Sequence, residues 1–422
     1  MARYPHLPRR AVVLSFEGPD RYAMVGGLGV RASELSVALA DAGFDTDLIY
    51  VGDPSLPAVE SRAERFTVRR WCQWISAYHP QGVYDGEWGK INDYGSSVPP
   101  FLLANVVEPA AARGERVLVL AEDWQVVPAV LGLDALLRRA GVREAATIVW
   151  NANNTYGFDT IDFDALASAA HITGVSRYMK FELALTGAEA LVIPNGIPER
   201  IFDEVKASDV AYLRRVLAGR HMLLKVGRFD PDKRWLQAID AVADLRDAGT
   251  NVQLVVRGGK EPYASVVFGR AVERGLRIED VTFEKPTVEA IADTLAGSQA
   301  DIVNVRSFLP DAMLYTLYGA VDAVLANSGK EPFGLVGLEV MAAGGIAVCG
   351  STGEDYARAF DNAIVCDTSD PLELATYLDR LFDNAAIQSR IRENAPITAR
   401  QFSWPNVLDV LDAKVAFMSE RA

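Results

Sequence analysis

The sequence predicts an α/β protein built from two doubly wound domains that face a central cleft. Three observations lead there. The chain has 422 residues, too many for one ordinary domain at about 150 residues each. Short apolar runs that end in polar loops alternate with amphipathic segments, the pattern of strands and crossover helices. That alternation resets around residues 194–206, where a fresh apolar run begins a second series, so two sheets are expected rather than one very large one.

The elements follow in order. AVVLSF (11–16) is a first strand that runs into the loop signal Glu17-Gly18-Pro19. ASELSVALADAG (32–43) sets Leu35, Ala38 and Leu39 on one face and stops at Gly43, as an amphipathic helix should. TDLIYVG, RVLVLAED (116–123), ATIVWNAN (146–153), HITGVS (171–176) and ALVIPNG (190–196) read as further strands, apolar at nearly every position because a parallel strand is covered on both faces. The stretch 53–105, rich in Trp, Tyr, Gly and Pro, is expected to form loops and short elements. MLLKVG (222–227) opens the second series, and a helix near 232–248 follows it. NVQLVVRGG, VTFEK, AVLANSG, IAVCGS and AIVCD are then strands between helical segments. FSWPNVLDVLDAKVAFM is a last helix that restarts after Pro405. The domains are accordingly expected at 1–198 and 199–404, with 405–422 as the closing helix. The cleft at the carboxyl ends of the strands is the expected ligand site.

Composition narrows the function. Half the residues are apolar and 23% are charged, which excludes collagen-like and largely disordered chains. With 42 basic against 56 acidic residues the formal net charge is −14, which disfavours broad nucleic-acid binding but leaves room for one basic pocket. The three cysteines, Cys72, Cys349 and Cys366, are too scattered for a disulfide framework or a spaced zinc site and suit a reducing cytosol. No run reaches the ~20 apolar residues of a membrane helix. A cytoplasmic protein without an integral membrane segment is expected, with peripheral membrane contact left open. No Ser-His-Asp, His-Glu-x-x-His or EF-hand pattern is present, so no metal is expected.

Three constellations carry chemistry. VGGLGVRASEL (25–35) joins the first strand to its helix, and its glycines let backbone N–H groups approach an anion. A plain strand-to-helix turn would use the same residues, and the dinucleotide fingerprint is not met. KVGRFDPDKRW (225–235) puts Arg228 and Lys233 just past the second domain's first strand, where two cations suit a departing diphosphate or are equally the ordinary surface cations of a solvated loop. ANSGKEPFGLVGLEVMAAGG (326–345) leads a strand through Glu331, Phe333 and Gly334 into a helix that carries Glu339. Carboxylates there can accept from sugar or ribose hydroxyls, or serve only as charge partners of the helix terminus.

These three segments, with LVIPNGI at the domain junction and TGEDYARAF…AIVCDTSDPLELA beyond, resemble the retaining GT-B glycosyltransferases of family four and their glycogen-synthase relatives. The resemblance spans nearly the whole chain. It implies two Rossmann-like domains and a C-terminal helix that crosses back to the first. It further implies a hexosyl group transferred from a nucleoside diphosphate sugar to a hydroxyl acceptor, with the departing phosphate taking the acceptor's proton. Arg228, Lys233 and Glu331 would be the catalytic residues, the cations on the diphosphate and Glu331 on the donor sugar. Gly26, Gly27 and Leu28 would approach the donor phosphates, Phe333, Gly334 and Leu335 its sugar, and Glu339 its ribose.

The chain also departs from that pattern. Met24 stands where glycogen synthases carry a phosphate-binding Lys, Glu122-Asp123-Trp124-Gln125 replaces a His-Asp-Trp segment, and Asn153 takes the place of a His. A small acceptor is therefore favoured over a growing polysaccharide. A silent nucleotide-sugar-binding protein of the same fold is the competing reading. His79, Asp85, Asp123 and Asn153 are the acceptor-side candidates. His79 and Asp85 sit in YHPQGVYDGEWGK, whose loop they would otherwise simply shape. Trp71, Trp74 and Trp88 would give a sugar-stacking platform or only fill core.

Overall fold

The computed structural model describes residues 3–421. It divides into two compact units, one running to Pro198 and resumed from Phe402, the other Glu199–Gln401. The return comes at 402 rather than 405 because the connection is made by paired backbone. The Ile197 amide donates to the Phe402 carbonyl at 2.9 Å, and the Trp404 amide donates to the Ile197 carbonyl at 3.1 Å. A Cβ on Gly196 would stand 2.3 Å from the Trp404 indole, so glycine is what lets these segments close. The last helix, Trp404–Arg421, is thereby held on the first unit, with Asp412 accepting from the amides of His6 and Leu7.

The first unit is an eight-stranded sheet: β1 (Arg10–Leu14), β2 (Asp45–Val51), β3 (Val59–Ala63), β4 (Phe66–Trp71), β5 (Val117–Glu122), β6 (Ala146–Ala152), β7 (His171–Gly174) and β8 (Leu191–Val192). Their order is β3-β4-β2-β1-β5-β6-β7-β8. All pairs are parallel except β3 with β4. The continuous apolar runs are explained by burial on both faces: every residue of β5 and β6 is buried.

The second unit holds β9 (His221–Val226), β10 (Val252–Arg257), β11 (Ile278–Val281), β12 (Ile302–Val305), β13 (Ala323–Ala326), β14 (Ala347–Cys349) and β15 (Ile364–Val365). They form an all-parallel sheet in the order β11-β12-β10-β9-β13-β14-β15. Its core gathers Leu223, Val242, Leu254, Ile302 and Val348 with the helices on either face. In each sheet the strand order reverses once, between β1 and β5 and between β9 and β13. Such switch points are where doubly wound sheets leave a crevice for ligands.

Two expectations need correction. The stretch 53–105 is more regular than its composition suggests. It contains the hairpin β3–β4 and a 16-residue helix, Glu87–Leu102. Pro99 and Pro100 sit inside that helix, and the chain continues as a five-residue π-helical turn, Leu103–Val107. Two adjacent prolines remove two amide donors, and the wider turn accommodates the loss. Small residues bring this helix close to the one at Val127–Ala140, since a Cβ on Gly95 would lie 2.8 Å from Pro128 Cβ. In the second unit, VTFEK forms only the end of β11, and IVNV (302–305) is an additional strand.

Candidate functional site

The loops with the three sequence constellations leave β1, β9 and β13, the strands that flank the two switch points. In the second unit the loop after β9 and the loop after β13 meet directly. Lys233 Nζ donates to Glu331 Oε2 at 2.6 Å. Asp230 shapes the first loop, accepting from the Asp232 amide at 2.9 Å to start a short 3₁₀ turn over Pro231–Lys233. Arg228 is exposed. Its carbonyl accepts from Trp235 Nε1 at 2.8 Å, which fixes the backbone there. Its guanidinium has no ion pair or hydrogen bond among the described residues.

Beneath these groups lies a buried cation that sequence reasoning did not single out. Lys225 Nζ donates to the Leu325 carbonyl at 3.0 Å and to Asn327 Oδ1 at 2.6 Å, and stands 5.2 Å from the Trp235 ring centre. Burial, followed by the nearby charges of Lys233 and Arg234, pulls its ammonium down to about 7. The floor of the site is thus already short of negative charge.

The acidic loop is held by its own tight packing. Gly334 has φ +82°, and a Cβ there would stand 2.8 Å from Glu354 Cγ and 2.9 Å from the Tyr356 hydroxyl. No other residue fits. That hydroxyl donates to the Gly334 carbonyl, and Phe333 is buried edge-on against the Tyr356 ring. Leu335 begins the helix Leu335–Ala342. Glu339 lies half-buried on it. Tyr315 and Tyr318 face it, their ionisation pushed up first by burial and next by the Glu339 charge.

Glu354 was also missed. Its Oε2 accepts from the Thr352 amide at 3.1 Å, while its Oε1 is buried with no partner. Burial and then the Glu331 charge raise it to about 7. The only signal was its place in TGEDYARAF, within the stretch of family resemblance but outside the acidic motif itself.

In the first unit the glycine-rich turn is occupied by the chain's own carboxylate. Glu17 Oε2 accepts from the amides of Val25 (3.1 Å), Gly26 (2.9 Å) and Gly29 (3.1 Å), and Glu17 Oε1 accepts from the Tyr84 hydroxyl. Gly26, expected to offer its amide to a ligand, instead gives it to Glu17. The amides of Gly27 and Leu28, the next two in the turn, have no partner among the described residues. Gly29 lies close to this carboxylate, since a Cβ there would stand 3.0 Å from Glu17 Oε2 and 2.9 Å from the Met24 sulfur. In the sequence Glu17 belongs to the loop signal after the first strand, and an acid placed between that strand and a glycine-rich turn is the clue to its role.

Beyond β5 the backbone turns sharply at Asp123, which has φ +75° and ψ +176°, a region that side-chain-bearing residues rarely adopt. Its carboxyl is buried. Oδ2 accepts from Asn154 Nδ2, and Oδ1 has no partner. Burial raises it to about 8. A buried, strained, incompletely satisfied acid at a strand end is a mark of a functional position.

Asn153, by contrast, is drawn inward. Its amide donates to Glu122 Oε2 at 2.9 Å, which also accepts from Asn151 Nδ2 and from Arg31 Nε. Arg31 in turn donates to Asn195 Oδ1 at 2.6 Å. Glu122 is thus the centre of a buried polar network.

His79 and Asp85 are brought together, Nδ1 to Oδ1, at 3.1 Å. The ammonium of the fully buried Lys90 holds their loop through Tyr22 Oη and the carbonyls of Gly82, Val83 and Asp85. Of the tryptophans, Trp74 and Trp88 are well exposed, and Trp88 meets Trp124 edge-to-face. Among the described residues no group of three or more His, Cys, Asp or Glu is arranged to hold a metal ion, and no helix is long and apolar enough to cross a membrane.

Two mainly parallel sheets, each with its polar loops gathered at one switch point, define the GT-B architecture. The chain superposes on sucrose-phosphate synthase from Thermosynechococcus elongatus with a TM-score of 0.72 and 18% identity, covering 98% of this chain and 100% of that one. Residues 216–398 match the family described as Glycosyl transferases group 1, so the second unit carries a group 1 glycosyltransferase domain. A lipopolysaccharide 1,2-N-acetylglucosaminetransferase of Salmonella typhimurium is 25% identical over 62% of this chain and 65% of its own length. A D-inositol 3-phosphate glycosyltransferase of Thermomonospora curvata is 29% identical over 45% of this chain and 41% of its own. The chain thus matches less than two thirds of the length of either relative.

Proposed function

We propose that the protein is a retaining hexosyltransferase that uses a nucleoside diphosphate sugar and a hydroxyl acceptor and needs no metal. The observation that carries this reading is the meeting of Lys233 with Glu331 beside the unpaired Arg228, at the switch point of a group 1 glycosyltransferase domain. Arg228 and Lys233 would neutralise the diphosphate as its charge grows. Glu331, freed from Lys233 when the more highly charged diphosphate arrives, would accept from a donor-sugar hydroxyl. Glu339 would accept from the ribose hydroxyls. The unpartnered amides of Gly27 and Leu28 suit a phosphate oxygen. The bond from the anomeric carbon to the diphosphate would break as the acceptor oxygen bonds to the same face, and the acceptor proton would pass to the departing phosphate. Asp123, with His79 and Asp85 on their pinned loop, would bind the acceptor. Both relatives are named for transfer to saccharide or cyclitol acceptors, which supports a carbohydrate or cyclitol hydroxyl here.

The test is a thermal-shift panel of nucleoside diphosphates and their sugars, since a ligand that binds the native state raises its stability by mass action. The sugar nucleotide that stabilises most should then be hydrolysed slowly, releasing the nucleoside diphosphate at a rate that EDTA does not change. Tight binding with no release under any acceptor would overturn transfer in favour of a silent binder, and loss of release on chelation would overturn metal independence.

A further inference from the structure

At the opposite edge of the second sheet, where β9 and β13 begin, lies a cavity of 420 Å³ lined by Arg214, Arg220, His221, Asp322 and Arg392 among others. β9 spans six residues, so this cavity is about 17 Å of strand away from the Arg228 loop. We propose that it is a second anion site, which takes a phosphate-bearing small molecule through the guanidinium groups of Arg214, Arg220 and Arg392.

Charge balance is the first argument. Three guanidinium groups line the cavity against one carboxylate, Asp322, whose Oδ2 already accepts from the Met222 amide at 2.7 Å. None of the three arginines is in an ion pair among the described residues. Several arginines elsewhere in this acidic chain do find carboxylates, as Arg70 does with Asp20, Arg143 with Asp134 and Arg274 with Asp240.

Unspent donors are the second argument. Arg214 Nη2 donates to the Gly319 carbonyl at 2.6 Å and Arg220 Nη1 to the Ser298 carbonyl at 2.9 Å. Each guanidinium has five N–H donors, so most of each fork remains available. Arg392 donates to the carbonyls of Gly319, Gly344 and Val321. Gly319 O therefore accepts from both Arg214 and Arg392, which sets two like charges side by side. Burial first, and then the Arg214 charge, pull Arg392 down to about 10. A bound dianion would relieve that repulsion, and forked guanidinium groups match phosphate oxygens two at a time. His221 stacks on Phe382 with ring centres 3.9 Å apart, forming a flat wall beside the arginines. The volume exceeds what a bare phosphate needs, which favours a phosphomonoester with a carbon skeleton.

The experiment is calorimetric titration of the full chain carrying Arg228→Ala and Lys233→Ala, so that the proposed donor site does not report. Inorganic phosphate and glycerol 3-phosphate are the probes, at ionic strength held constant with chloride. One saturable site is expected, weakened about 10–100-fold by adding Arg214→Ala or Arg220→Ala, the scale of losing a charge-assisted hydrogen bond. Arg220→Lys, which keeps the charge and loses the fork, should fall between. Tighter binding of glycerol 3-phosphate assigns an organic phosphate, and equal binding assigns the free ion. No saturable site, or binding indifferent to both alanine substitutions in variants that melt as the parent does, overturns the proposal. The donor-site reading is unaffected by either result.

Discussion

The carboxyl edges of the two sheets handle charge in opposite ways. In the first unit the chain supplies its own anions: Glu17 fills the glycine-rich turn and Glu122 neutralises the buried Arg31. Among the described residues of the second unit, Arg228 is exposed without a side-chain partner, Lys233 has a single carboxylate, and the buried Lys225 beneath them has only neutral oxygens. A helix N-terminus whose amides are already bonded to a carboxylate has less attraction left for phosphate. An edge with surplus cations keeps it. The same fold thus yields one edge whose glycine-rich turn keeps only the amides of Gly27 and Leu28 open to a ligand and another that is rich in cations.

The largest expected effects come from breaking the cationic edge. Arg228→Ala and Lys233→Ala should each lower transfer by ~10²–10³, the scale for removing a preorganised charge-stabilising group, with a smaller loss of donor affinity. Near-wild-type turnover at saturating donor would remove that residue from the diphosphate. The two glutamates of the same edge should then separate. Glu339→Gln is expected to weaken donor and nucleoside diphosphate alike, by ~1–3 kcal/mol, as measured by calorimetry. Glu331→Gln should depress turnover while leaving nucleoside diphosphate affinity almost unchanged, because an interaction that strengthens in the transition state acts on rate. Parallel losses of affinity in both variants would sink the sugar-side role of Glu331.

The asymmetry also explains what could be read in the sequence. The strands were legible because burial on both faces leaves unbroken apolar runs such as VLVLAE in β5. The motif residues were legible because glycine is forced at Gly334 by a positive φ and by the crowding of Tyr356. The helix Glu87–Leu102 was not, since two prolines and two glycines within it mimic a loop, while tertiary contacts hold it, among them its packing on the helix Val127–Ala140 and the hydrogen bond from the Tyr94 hydroxyl to the Ile49 carbonyl. Residues whose role depends on a partner distant in sequence were equally hidden. Glu17 matters because the chain folds back eight residues later, Glu354 because its loop closes over Glu331, and Lys90 because four oxygens converge on it. The partner of Asn153 was hidden for the same reason, as nothing in WNANN shows that its amide turns toward Glu122.

If Glu17 is what pre-pairs the first edge, removing it should loosen that edge. Glu17→Ala leaves three amides without their acceptor, at an expected cost of ~1–3 kcal/mol in denaturant-derived stability. Added phosphate should then restore part of the loss, because the vacated turn becomes an anion site. A variant as stable as the wild type, or one that phosphate does not help, would mean that solvent satisfies the turn equally well.

The last comparison concerns Asp123, whose buried Oδ1 has no partner among the described residues. Burial raises its carboxyl to about 8 from an ordinary 3.8. Between those values the native state keeps a proton that the unfolded chain has released, so its contribution to stability falls as pH rises through that window and levels off above about 8. Asp123→Asn keeps the acceptor for Asn154 and the shape of the neutral acid but cannot ionise. The variant should therefore gain on the wild type progressively from pH 5 toward pH 8, by up to about 1.4 kcal/mol per pH unit, the equivalent of a tenfold change in a protonation equilibrium. Urea midpoints at pH 5, 6, 7, 8 and 9 measure this difference. Parallel curves would show that the carboxylate finds water or a counter-charge in the native state, and Asp123 would then belong with the satisfied acids of its edge. A diverging pair, together with loss of transfer in the variant at every pH, would identify a neutral acid held ready for an acceptor hydroxyl.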